Sequence, residues 1–251
     1  MLRQWWKAGA EALAALALPR DCPCCGGDGE RTVGAPFCGG CWETLRGKVQ
    51  DACPRCAAMV GPWAVRPEGC MECRDRKLGF DAAVALGPYE GMIKELCLGL
   101  KHRPGGWLAP WLAAALVEVR PQLGEEAKRA TGALVVPVPL HWKRRLRRGY
   151  NQAEQLADGL AARMGLKRAN LLKRVKPSQI LAGLGRVERA KLTRDAFRAK
   201  RWRSELKGKT IFLVDDVLTT GATCGAASRA LKKAGAERVV AVVIGRAGGR
   251  S

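Results

Sequence analysis

Two consecutive carboxylates, Asp215 and Asp216, follow an uninterrupted apolar run from Ile211 to Val214 and precede Thr219, Thr220, Gly221, Ala222 and Thr223. Paired acids suit the neighbouring hydroxyls of a sugar, or a Mg²⁺ travelling with a ligand. The Thr/Gly run can point several backbone N–H groups and three hydroxyls into one small volume at a helix N-terminus, with Gly221 free to take a positive φ. Such a volume suits a phosphate. An unbroken apolar strand is expected where helices cover both faces of a sheet, and ligands of such sheets gather beyond the carboxyl ends of the strands. The residues point to a phosphorylated ribose.

The cysteines carry a second chemistry. Of eleven, eight form four Cys-x-x-Cys pairs: Cys22/Cys25, Cys38/Cys41, Cys53/Cys56 and Cys70/Cys73. Each pair offers two thiolates from a tight turn, and two pairs complete a tetrahedral Cys₄ zinc site. Gly26, Gly27, Gly39, Gly40 and Pro54 supply the turn chemistry. Sequential pairing gives two ribbons; a cross-brace would join the first pair to the third and the second to the fourth. Sequential closure costs less loop entropy and is preferred. Eight thiolates leave no open coordination position, so both zinc ions are expected to be structural, stabilising a module too small to fold on its core alone. A disulfide framework fits less well with the cytosolic features of the rest of the chain. Cys24 is an extra thiol that can compete as a ligand. Cys97 reads as core, and Cys224 as core filler or a reactive thiol.

The chain has 44 Lys+Arg against 23 Asp+Glu, a formal net charge of +21. Residues 141–209 hold 21 basic and 5 acidic residues, a local excess of 16. Such a stretch attracts polyanions by counterion release, nucleic acid being the usual partner, or is simply a solvated basic face. Trp142 and Trp202 within it offer rings on which bases of a single strand can stack. No uncharged apolar window long enough for a transmembrane segment occurs. Arg3 and Lys7 ahead of Ala8–Leu18 imitate a signal peptide, but Glu11 interrupts the run and paired cysteines follow. Residues 1–19 are therefore expected to form an amphipathic helix, its Trp5 and Trp6 packed on the body or touching a membrane.

These groups need elements to position them. A strand is expected over Phe80–Leu86, turning at Gly87 and Pro88, then a helix over Tyr89–Leu100 ended by Lys101, His102 and Arg103, whose cations suit its dipole. Trp107–Val119 has helical spacing and Pro121–Gly132 reads as a charged connector. Ala133–Leu140 is a second apolar strand, broken by prolines and followed by Lys143, Arg144 and Arg145. A helix opens after Arg148 and runs to Met164. Leu171–Val175 is a short strand, Ala222–Lys233 a helix, Val239–Ile244 a buried strand, and Gly245 onward a tail.

Val214 to Thr223 resembles the phosphoribosyl pyrophosphate (PRPP) motif of the type I phosphoribosyltransferases. The resemblance implies that Asp215 and Asp216, the catalytic acids, contact the ribose 2′- and 3′-hydroxyls, that Thr219–Thr223 wrap the 5′-phosphate, and that Mg²⁺ accompanies PRPP. It also implies a pyrophosphate loop formed by Val136 to Leu140 followed by Lys143, Arg144 and Arg145, with Pro139, Lys143 and Arg145 among its PRPP-binding residues. Arg148, Gly149, Tyr150, Asn151 and Gln152, taken with the four knuckles and the PRPP motif, make the chain resemble the competence protein F (ComF) family over roughly residues 18–246. Asn151 and Gln152 would then sit beside the phosphoribosyl site. Residues 176–197 correspond in place to the mobile loop that closes over PRPP, with Arg189 among its PRPP-binding residues; Leu192 departs from the usual Asn.

The expected fold is α/β: a type I phosphoribosyltransferase-like parallel sheet flanked by helices over 78–246, a double zinc ribbon over 20–75, the N-terminal helix, and a tail from 247 to 251. The resemblance implies a cytoplasmic competence protein that binds PRPP and assists single-stranded DNA in natural transformation, with the DNA-uptake machinery as a further partner and link to the membrane. The alternative is a working phosphoribosyltransferase, in which an acceptor attacks C1′ as pyrophosphate leaves and the enzyme acts by charge and positioning.

Overall fold

The computed structural model describes residues 21–27, 37–47, 52–61, 64, 68–101, 106–176, 195–200 and 206–248. The chain divides into two compact units, Met1–Lys48 and Val49–Ser251. In the first, α1 (Gly39–Gly47) buries Cys41, Trp42 and Leu45. Phe37 stacks on Trp42 with ring centroids 6.0 Å apart. The helix expected over residues 1–19 lies outside the described residues.

The second unit contains β1 (Ala82–Pro88), α2 (Gly91–Gly99), α3 (Leu108–Val119), α4 (Gln122–Arg129), β2 (Leu134–Pro137), α5 (Trp142–Arg148) and α6 (Gln152–Met164). It continues through β3 (Lys167–Arg168), β4 (Leu172–Arg174), β5 (Phe197–Ala199), β6 (Thr210–Leu218), α7 (Ala222–Lys233) and β7 (Arg238–Arg246). Five strands form one sheet in the order β1-β7-β6-β2-β3, every pair parallel. β4 and β5 make a separate antiparallel pair. Ile211–Val214 and Val239–Ile244 are buried throughout, as strands covered on both faces must be. α6 packs on α3, β2 and β6, whereas α7 packs on β6, β7 and the β4–β5 pair. From the middle of the sheet the chain runs outward one way from β2 to β3 and the other way from β6 to β7. The boundary between β2 and β6 is therefore a topological switch point, where ligands of open α/β sheets bind. Among the described residues no helix is long and apolar enough to cross a membrane.

Four segments differ from the expectation. β1 does not turn at Gly87 and Pro88, which pair with Gly245 and Arg246 at the ends of both strands; proline is tolerated there because the ladder needs nothing further from its nitrogen. Gly245 and Arg246 accordingly belong to β7, not to a tail, and Arg246 is buried. The connector 121–132 contains α4, which buries Leu123 and Ala127, one turn apart. So thin a stripe is hidden among charged neighbours, although Glu125 in the first turn and Lys128 and Arg129 in the last complement the helix dipole. The basic residues after β2 lie on α5 rather than in a loop, the helix closing at Gly149 with φ 80°.

Candidate functional site

β2 pairs with β6 only as far as Pro137 opposite Val214, after which the Val138 amide donates to the Val214 carbonyl at 2.8 Å. β6 runs on, still paired with β7, so Asp215 and Asp216 stand on the strand where its other neighbour has turned away. This is the switch point.

The two acids have different surroundings. Asp216 is buried; its Oδ1 accepts the Val217 amide at 3.0 Å, and its Oδ2 receives Lys101 Nζ at 3.1 Å and Gln152 Nε2 at 3.4 Å. Burial works against the Lys101 ammonium, but the Asp216 charge outweighs it and holds the Lys101 pKa above its ordinary value. Asp215 accepts the Asp216 amide at 2.9 Å. Burial first, and then the charge of Asp216, push the Asp215 carboxyl well above the usual range, with Arg174 relieving only part. Arg174 itself lies over the Phe197 ring, 5.1 Å from its centroid. Behind the acids are two buried thiols: burial pushes Cys97 up to about 12 and Cys224 well above its ordinary value. Both are core residues.

Beyond β6, Gly221 takes φ 78° and α7 begins at Ala222. The Thr220 hydroxyl accepts the Ala222 amide at 3.3 Å. Thr219 is exposed, while Thr220, Gly221, Ala222 and Thr223 are half-buried, so the helix N-terminus is open to an anion.

The Tyr150-Asn151-Gln152 signature fastens the surrounding pieces. Tyr150 Oη donates to the Leu100 carbonyl at 2.8 Å, at the end of α2 and beside Lys101. Asn151 caps α6 by accepting the Ala153 amide at 3.1 Å and donates to the Val138 carbonyl at 3.1 Å, which joins α6 to the loop after β2. Gln152 reaches Asp216 and accepts from Arg148 at 3.3 Å. Pro139 is half-buried in the loop after β2. Lys143 lies on α5, its side chain outside the described set. Arg145 is paired with Glu154 of α6 through contacts of 3.1 and 3.4 Å. Arg189 lies outside the described residues. Sequence alone ties Lys101 only to a helix dipole and does not single out Arg174; both contacts depend on chain segments brought together by the sheet.

The cysteines group sequentially. Cys22, Cys25, Cys38 and Cys41 form one set and Cys53, Cys56, Cys70 and Cys73 another, the sulfurs within each lying within 4.8 Å of one another. Zn–S bonds of about 2.3 Å imply S···S edges of about 3.8 Å. Cys25–Cys38 and Cys53–Cys73 lie at 3.8 Å, Cys56–Cys70 at 3.6 Å and Cys70–Cys73 at 3.9 Å. Burial opposes a thiolate at Cys22, but the amides of Cys38, Cys24 and Cys25 outweigh it and bring its pKa to about 6. In the second set burial likewise opposes a thiolate at Cys53, and amides including that of Cys70 outweigh it. Burial and neighbouring thiolate charge raise Cys41 and Cys56, so full ionisation of either set calls for a divalent cation. Both sets can hold zinc. Cys24 belongs to neither; burial pushes its thiol up to about 12.

A doubly covered parallel sheet with an acid pair and a helix-opening Thr/Gly loop at its switch point is a phosphoribosyltransferase-type domain. A family model, "phosphoribosyl transferase domain", matches residues 146–250. Over 209 residues the chain is 30% identical to competence protein F of Haemophilus influenzae, spanning 81% of this chain and 87% of that one. It belongs to the competence protein F family. It is also 28% identical over 208 residues to DNA utilization protein YhgH of Salmonella typhi, covering 81% of this chain and 87% of the relative. A shorter match, 50% identical over 40 residues, joins 16% of the chain to 22% of adenine phosphoribosyltransferase of Mycobacterium marinum.

Proposed function

We propose that the switch-point site binds PRPP and that the protein uses this domain while handling single-stranded DNA in natural transformation. The observation that carries the ligand is the joining of the acid pair on β6 to the Thr219–Thr223 loop at the start of α7. Thr219–Thr223 would take the 5′-phosphate and Asp215 and Asp216 the ribose side. Pro139, Lys143, Arg145 and Arg189 would serve the pyrophosphate, Arg145 by leaving Glu154, which Arg168 also approaches at 4.0 Å. Asn151 and Gln152 hold this frame together. Carboxylate oxygens suit Mg²⁺, which would be held with PRPP beside Asp215 and would neutralise the diphosphate.

The DNA half is supported by the relatives' names and by α5, where Arg144 and Arg145 are exposed beside Trp142 at 59% and Leu146 at 75% exposure. A basic surface carrying an aromatic ring suits stacked bases and a phosphate backbone. Turnover as a phosphoribosyltransferase is the second reading, favoured by the short match to adenine phosphoribosyltransferase.

Calorimetric titration with PRPP and Mg²⁺ tests the site: Asp215→Ala with Asp216→Ala should abolish binding and leave zinc content unchanged, whereas wild-type affinity in that variant would sink the assignment. Binding to single-stranded DNA should weaken as salt rises; no mobility shift at low salt removes the DNA half. Pyrophosphate release from PRPP with a panel of bases separates the second reading from the first.

A further inference from the structure

Arg246 is a buried cation at the end of β7. It donates through Nε to the Cys56 carbonyl at 2.9 Å, and through Nη1 to the Leu218 and Thr219 carbonyls at 3.3 and 2.9 Å. The next carbonyl along, that of Thr220, is taken by Arg76 Nη2, three residues after Cys73. Three successive carbonyls of the loop are thus drawn toward two guanidinium groups anchored at the second cysteine set. In a trans peptide the N–H points opposite to the carbonyl. The amides of Thr219, Thr220 and Gly221 are therefore turned away from the arginines, as an anion cradle requires.

The same region is clamped by backbone packing. A Cβ at Gly225, in the first turn of α7, would lie 2.1 Å from the Leu78 carbonyl oxygen, so only glycine permits this approach. Arg55 secures the segment leading to it, donating through Nη1 to the Cys73 carbonyl at 2.8 Å and through Nη2 to the Arg76 carbonyl at 2.7 Å.

We propose that Arg246 and Arg76 are positioning residues that aim the loop amides at a phosphate, and that through them metal occupancy of Cys53, Cys56, Cys70 and Cys73 is coupled to anion affinity. The proposal rests on the assignment of PRPP to this loop. Coupling between binding sites is reciprocal. PRPP should therefore tighten zinc retention at the second set, and the Cys22–Cys41 set provides the internal control.

The test is equilibrium competition between the full-length zinc-loaded protein and a chelator, with and without PRPP, in the wild type and in Cys22→Ser/Cys25→Ser, which keeps only the second set and so separates its zinc from that of the first. PRPP is expected to raise zinc affinity at the second set by about fivefold or more and to leave the first unchanged. Arg246→Lys and Arg76→Met should each weaken PRPP binding at least fivefold by calorimetry while keeping both zinc equivalents; Arg76→Met serves if the buried site rejects lysine. If PRPP binds the wild type but shifts neither zinc set, or if both arginine variants bind PRPP as the wild type does, the proposal is overturned and the ligand assignment stands. If PRPP does not bind the wild type, or binds the Asp215→Ala/Asp216→Ala variant equally well, the assignment itself fails and takes the proposal with it.

Discussion

The two cysteine sets share a spacing and a ligand chemistry but differ in what surrounds them. In the first, Cys25 is exposed and Cys38 half-buried, and the neighbouring core is Phe37, Trp42 and Leu45. In the second all four cysteines are buried, in the same apolar cluster as Val136, Leu213 and Val243 of the sheet. Its backbone joins the sheet where Ala83 N donates to the Pro54 carbonyl at 3.0 Å, and Arg120 reaches from the end of α3 to Met59. One set organises a small unit; the other is part of the larger unit's interior. Identical knuckles thus acquire different roles because one lies against apolar sheet residues that need covering.

The largest expected effect breaks this contrast directly. Cys53→Ser with Cys56→Ser should abolish cooperative unfolding of the second unit, because a structural zinc site contributes on the order of 10 kcal/mol at neutral pH and here also completes the core. Cys22→Ser with Cys25→Ser should leave the thermal transition of the second unit in place. Calorimetric melting compares the two, and equal losses would contradict the asymmetry.

A smaller effect is expected at the acid pair. Lys101→Met leaves the Asp216 carboxylate buried beside Gln152 without its cation and should cost about 2 kcal/mol, below the value for a fully dry pair because Lys101 keeps some solvent contact. Denaturant melts should show a lower midpoint at unchanged slope. Cys22–Cys41 should keep its zinc.

Asp215→Asn should act in the opposite direction. The folded chain retains a proton at Asp215 that the unfolded chain releases near its ordinary value of 3.8, so stability falls as pH rises from there through the raised folded-state value. The amide removes that penalty, and at neutral pH the melting temperature should rise by roughly 2–4 °C per kcal/mol relieved, with a flatter pH profile. PRPP affinity should fall in the same variant. A melting temperature that drops would mean that Asp215 is held as a well-solvated carboxylate.

The smallest effect belongs to α5. Trp142→Ala should change stability by under about 0.5 kcal/mol, since the ring is 59% exposed, while weakening single-stranded DNA binding by about 1–3 kcal/mol. Filter binding at fixed salt reads the difference, and an unchanged affinity would exclude Trp142 as a stacking platform.

Much of this organisation is legible in the amino-acid order because it depends on local spacing. Four Cys-x-x-Cys pairs announce two metal sets, and the unbroken Ile211–Val214 run announces a covered parallel strand. Gly221 followed by Ala222 and Thr223 announces the start of α7. Other features are less visible. α4 buries a stripe of only Leu123 and Ala127, too narrow to separate from a charged connector, and β1 and β7 each outlast their apolar run because Pro88 and Arg246 pair across the sheet.

What the sequence by itself determined, then, is the inventory: a strand ending in two acids, a Thr/Gly helix start and eight thiols in pairs, each readable from a short window, and a basic stretch readable from composition alone. Only the tertiary structure decided that Asp216 is held by Lys101 from 115 positions earlier, that the second metal set is core rather than appendage, and that Arg246 braces the Leu218 and Thr219 carbonyls. The reason is physical. A buried charge is stable only where folding delivers its partners, and those partners come from segments with no periodicity in common.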